Sequence, residues 1–126
     1  MKKQILLVVL GGLGLFLFLS LNQGRAADDG FPEEVGAILT SSCLGCHNTE
    51  GRSEDAKKVV QFDLWDDYRV TKKIGILGEI EKVLEEGKMP PARFLENNPD
   101  KKLTEEQRKI LLDWTKEESE RLMQGN

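Results

Sequence analysis

Cys43-Leu44-Gly45-Cys46-His47 contains both cysteines and the only histidine of the 126-residue chain. Two thiols three positions apart, followed at once by an imidazole, make the C-x-x-C-H spacing that attaches a c-type haem. Each thiol is placed to add to one vinyl group, and the next residue sets its ring against the iron. On a helix, positions i, i+3 and i+4 share one face. The segment is therefore expected to continue the buried side of a helix leading into it. Covalent tethering also suits a domain too small to enclose its cofactor fully.

Other uses of these residues fit less well. A Cys43–Cys46 disulfide of thioredoxin type belongs in a βαβ setting, and the periodicity here is dominated by helix. Structural zinc takes four Cys or His ligands, whereas the chain holds three.

Upstream, a first helix is expected over residues 32–47. Pro32 suits a first turn, Glu33 and Glu34 complement the positive end of the helix dipole, and Val35, Ile38, Leu39, Ser42, Cys43 and Cys46 recur as one stripe. Downstream, residues 48–58 are polar and read as a solvated loop. Residues 59–65 are too short to classify by period, with Phe62, Leu64 and Trp65 expected to drop onto the core. Trp65, Tyr68 and Arg69 carry donors long enough to reach a haem propionate, although ordinary packing and solvation account for them equally.

A second helix is expected over residues 73–86, with Ile74, Leu77, Ile80 and Leu84 on one side and Gly87 ending it. Lys88-Met89-Pro90-Pro91 follows. Two prolines stop the helix and hold the residue before them extended, so Met89 is presented from a stiff loop. Methionine is the usual partner of histidine on the iron of electron-transfer cytochromes c. Of the three methionines, Met1 goes with the leader and Met123 lies in a polar tail. Met89 is thus the candidate second axial ligand, the alternative being a core-filling side chain.

Thr104-Glu105-Glu106-Gln107 is a capping-box start for the last helix, with Leu103, Gln107, Ile110, Leu111 and Trp114 on a common side. Trp114 is expected to pack across the first helix, and the charged turns beyond it to be solvated and frayed.

The first residues have a different character. Lys2 and Lys3 precede an apolar run of 17 residues, 5–21, and small Gly24 and Ala26 then stand where a cleavage site needs them. This is the plan of a secretory signal, uncleaved as a single membrane anchor in the alternative. The division expected is 1–26 as signal peptide or anchor and 27–126 as one monohaem domain. From Ala27 onward 15 Lys and Arg stand against 22 Asp and Glu, a formal −7. Such a surface disfavours nucleic acid and anionic lipid and favours steering toward a redox partner with a basic docking face. Solubility alone is an equal use of the same charge.

Cys43-Leu44-Gly45-Cys46-His47, Gly87-Lys88-Met89-Pro90-Pro91 and Leu103-Thr104-Glu105-Glu106-Gln107 with Trp114 together resemble the class I, single-haem cytochrome c family of bacteria, over residues 31–115. The resemblance implies an all-α fold around one covalently attached haem c, with crossing N- and C-terminal helices. Cys43 and Cys46 would hold the porphyrin, and His47 and Met89 would bind the two faces of the iron. It also implies maturation outside the inner membrane, hence a periplasmic or membrane-tethered protein. One departure stands out. Many such proteins carry a proline after C-x-x-C-H whose carbonyl orients the histidine ring, and here no proline lies between His47 and Pro90.

A six-coordinate iron has no open position for substrate, so the expected function is single-electron transfer rather than catalysis. Were Met89 not a ligand, a five-coordinate iron would suit a gas sensor or a minor peroxidase, though no second imidazole is present to serve as acid or base. An accessory haem subunit of a membrane complex is a third reading, tied to an uncleaved leader.

Overall fold

The computed structural model describes residues 30–125, and the expected leader, residues 1–26, lies outside them. Among the described residues the regular structure is helical throughout. The elements are α1 Glu33–Ser42, α2 Glu54–Val59, α3 Val70–Glu85, α4 Ala92–Asn97 and α5 Glu105–Met123, with 3-10 helices at Phe62–Asp67 and Pro99–Lys101. The expected all-α class holds. None of these helices is long and apolar enough to cross a membrane.

Packing follows from the apolar stripes. α3 lies along α5, and α1 packs on α5 as well, joining Val35, Ile38 and Leu39 of α1 to Leu77 of α3 and Leu111 of α5 in one core. Leu77 is fully buried and Leu111 nearly so; each such leucine contributes about 2 kcal/mol by leaving water. Phe31, just ahead of α1, sits among rings, with centroids 6.0 Å from Phe62, 5.6 Å from Trp65 and 5.7 Å from Trp114. Trp114 of α5 meets Phe31 and Trp65, with ring centroids 5.7 and 5.9 Å away, in the same core as the buried side chains of α1.

Helix α3 begins at Val70, one turn earlier than the pattern predicts, and closes where Gly87 predicts it. Gly87 takes φ +65, its N–H reaches the Leu84 carbonyl at 3.2 Å, and the Lys88 N–H reaches the Val83 carbonyl at 2.9 Å. This pair of bonds is a Schellman closure, which needs a residue free to adopt positive φ. Arg108 of α5 adds Nη1 to the Leu84 carbonyl at 3.1 Å, satisfying a last-turn acceptor from outside the helix. Helix α5 opens on the predicted capping box, with Gln107 N to Thr104 Oγ1 at 3.1 Å and Thr104 N to Gln107 Oε1 at 3.0 Å.

Three local expectations are corrected. Helix α1 stops at Ser42 instead of running to His47. Residues 48–58 are not all loop, because Ser53 caps α2 by accepting the Ala56 N–H at 3.2 Å, with acids in its first turn and lysines in its last. Just after the two prolines, residues for which the pattern gave no element form α4. The last turns of α5 do not fray, since Leu122 is buried at its far end and Arg121 bonds Glu118 one turn back.

Candidate functional site

The C-x-x-C-H segment begins where α1 gives out. Cys43 is the C-cap at φ −120, ψ −44, and the Leu44 N–H reaches back five residues to the Leu39 carbonyl at 2.9 Å, widening the last turn. One further turn then forms: the Cys46 and His47 N–H groups both donate to the Cys43 carbonyl at 3.1 Å. The thiols and the imidazole thus keep the one-turn spacing a helix would give them, on a separate turn. Later residues impose the break. Thr49 N–H, which a continuing helix would deliver to the Gly45 carbonyl, goes instead to Asp63 at 3.0 Å, and that carbonyl takes the Arg52 N–H at 3.2 Å.

His47 is held by residues 60–62. Its ring Nδ1 lies 3.3 Å from the Val60 carbonyl; a carbonyl only accepts, so Nδ1 carries the proton and donates. Its own carbonyl accepts the Phe62 N–H at 2.9 Å, and the Phe62 ring stands edge-on to the imidazole with centroids 6.0 Å apart. Val60 thereby supplies the acceptor that the missing proline left open. Nothing in the sequence marks it, because the group used is backbone.

Neighbouring contacts stiffen the turn. Asp63 receives both the amide and the hydroxyl of Thr49, the latter at 2.5 Å. Desolvation pushes the Asp63 carboxyl up, but the bonds from Thr49 outweigh it and hold the group below its ordinary 3.8. Asn48 Nδ2 donates to the Leu44 carbonyl at 2.6 Å, and its Oδ1 is buried with no partner in the protein. Beside this turn lies a cavity of about 300 Å³ lined by Phe31, Leu39, Leu44 and Phe62, with Asn48 and Asp63 at its polar side. None of Cys43, Cys46, His47 and Met89 lines it.

Cys43 and Cys46 are free thiols, each half-buried. Burial first, and then the neighbouring Cys46, push the Cys43 thiol up to about 12. Met89 lies between the Schellman closure of α3 and a cis bond to Pro90. It is 38% exposed and so is not the core-filling methionine of the alternative reading. Of the three possible propionate donors, Trp65 is buried in the aromatic core, Tyr68 is half-buried and Arg69 is exposed. No group of three or more His, Cys, Asp or Glu side chains converges on a bare-metal site among the described residues.

The donor set fits an iron porphyrin. It offers two thiols on one turn for the ring substituents, an imidazole whose other nitrogen is already engaged, and an uncommitted thioether. A family model described as a haem-binding domain matches residues 51–117, starting four residues after His47. No curated protein and no solved structure matches the chain.

Proposed function

The chain belongs to the haem-binding domain family, and from that premise we propose that it is a monohaem c-type cytochrome resembling class I, an electron carrier rather than an enzyme. The setting of His47 carries this reading. With Nδ1 donating to the Val60 carbonyl, Nε2 is the nitrogen left to bind iron, as metal-ligating histidines are ordinarily arranged. Cys43 and Cys46 precede it on the same turn. Each thiol would hold the porphyrin by adding its sulfur to one carbon of a vinyl group and its proton to the other, a thioether link with no net gain or loss of electrons.

Haem, when bound, supplies an iron that alternates between ferrous and ferric. The residues' part is to hold it, set its potential and present its edge. Met89 would hold the second face of the iron, and a thioether paired with an imidazole would raise the potential relative to two nitrogens. With His47 and Met89 both engaged, the site would leave no position open for substrate, and the chemistry supplied would be one-electron transfer. An acidic exported domain, periplasmic or tethered by its leader, would meet a basic partner through a small interface whose rate depends on salt.

The test is a denaturing haem assay combined with intact mass, on protein made in cells that mature c-type haem. One haem per chain surviving denaturation, lost when both cysteines are changed to serine, is expected. Colourless protein of bare-chain mass overturns the reading. Electron exchange with a basic partner should slow as ionic strength rises, and a rate indifferent to salt removes the acidic steering.

A further inference from the structure

The His47 contact uses one end of a peptide unit whose other end is also engaged. Val60 C=O receives Nδ1 of His47 at 3.3 Å. The N–H of the same unit, on Gln61, donates to the hydroxyl of Tyr68 at 3.0 Å. We propose that Tyr68 is a positioning residue for the iron-binding imidazole, acting through the 60–61 peptide; this rests on His47 being the axial ligand.

The peptide unit is planar and trans, so its N–H and C=O point in opposite directions and turn together. Fixing the N–H on Tyr68 therefore fixes where the Val60 carbonyl aims. Val60 is buried, at 2% exposure, so water does not easily replace either partner. Hydrogen bonds in such a chain polarise one another: density drawn toward the carbonyl by the bond at N–H makes it a better acceptor for Nδ1–H. A better acceptor makes the imidazole a more basic ligand.

Tyr68 is itself well placed to hold a fixed point. Its backbone N–H caps the Phe62–Asp67 helix on the Trp65 carbonyl at 3.2 Å. Its ring meets Trp65 edge-on with centroids 6.4 Å apart, and the Lys72 ammonium sits 3.6 Å from the ring centroid. Neither contact uses the hydroxyl. The hydroxyl accepts the Gln61 N–H.

Tyr68→Phe removes that oxygen and keeps the ring, its stacking on Trp65 and the cation above it. In the holoprotein, the Gln61 amide is expected to exchange with solvent about tenfold faster, the loss of one hydrogen bond. The reduction potential is expected to rise, because a less basic axial imidazole favours ferric iron less. The hyperfine-shifted ring resonances of His47 should move as the imidazole reorients. Gln61→Ala alters the side chain but keeps the amide, and should leave all three readouts at wild-type values.

A holoprotein whose Tyr68→Phe variant keeps the wild-type potential and Gln61 exchange overturns this inference alone. So does a Gln61→Ala variant that shifts as far as Tyr68→Phe. Wild-type protein lacking covalent haem overturns the reading of the site and this inference with it.

Discussion

Gly51 runs so close to Cys46 that a Cβ at position 51 would lie 2.3 Å from the Cys46 carbonyl oxygen and 2.7 Å from its carbon. Both contacts are with backbone and cannot be relieved by a rotamer change. Gly51→Ala must therefore push the loop off the C-x-x-C-H turn. A loss of about 3 kcal/mol is expected, which lowers the melting temperature of a domain this size by roughly 12–24 °C. Thermal unfolding and haem content per chain measure it. Wild-type values for both would mean that the turn accommodates the methyl.

The Thr49–Asp63 link should show itself in acid. A carboxyl held below its ordinary 3.8 in the fold adds stability that is fully present above that value and is lost as pH falls through the lower folded one. Asp63→Asn should thus destabilise the protein near neutrality, with the gap to wild type shrinking below about pH 4. Urea unfolding of both proteins across that range is the measurement. A gap as wide at low pH as at pH 7 would remove the charge from the explanation.

Met89 is exposed, so a ligand role and a packing role separate cleanly. Met89→Ala should abolish the long-wavelength thioether-to-iron band of the ferric protein and lower its potential. Without haem the same change should alter fold stability by no more than about 0.5 kcal/mol, as at other surface positions. An unchanged spectrum takes Met89 out of the iron's coordination.

Cys43 should be a sluggish nucleophile wherever the chain is folded without haem. A thiol pushed up to about 12 holds roughly a thousandfold less thiolate than an ordinary one, partly offset by the greater nucleophilicity of a more basic sulfur. Alkylation at pH 8 should run about 30-fold slower than at Cys43 of the denatured chain. Peptide mapping by mass reads this directly, and equal rates would place the thiol in water.

What the sequence discloses is what local rules govern. The cap at Thr104 and Gln107 and the stop at Gly87 depend on residues a few positions apart, and both stand as read. The stripe through Val35, Ile38 and Leu39 likewise announces a core face. The end of α1 was not legible, since it depends on Thr49 finding Asp63 and on Arg52 finding Gly45, partners set by the tertiary fold. Helix α2 escaped because it has no apolar stripe to detect: its cap and the pairs Lys57–Glu54 and Lys58–Asp55 sustain it. The acceptor for His47 had no signature at all, because a residue of any type at position 60 offers the same backbone carbonyl.

Helix α2 buries none of its side chains, yet its last turn leads directly into Val60, whose N–H closes on the Ala56 carbonyl at 3.1 Å. Beyond its cap and its ion pairs, its side chains are therefore less constrained than their number. Inserting a single residue there would swing everything beyond it by about 100° around the helix axis and carry the Val60 carbonyl off its line to the imidazole. Drift in composition with no tolerance for insertions or deletions is the pattern of change this stretch should show.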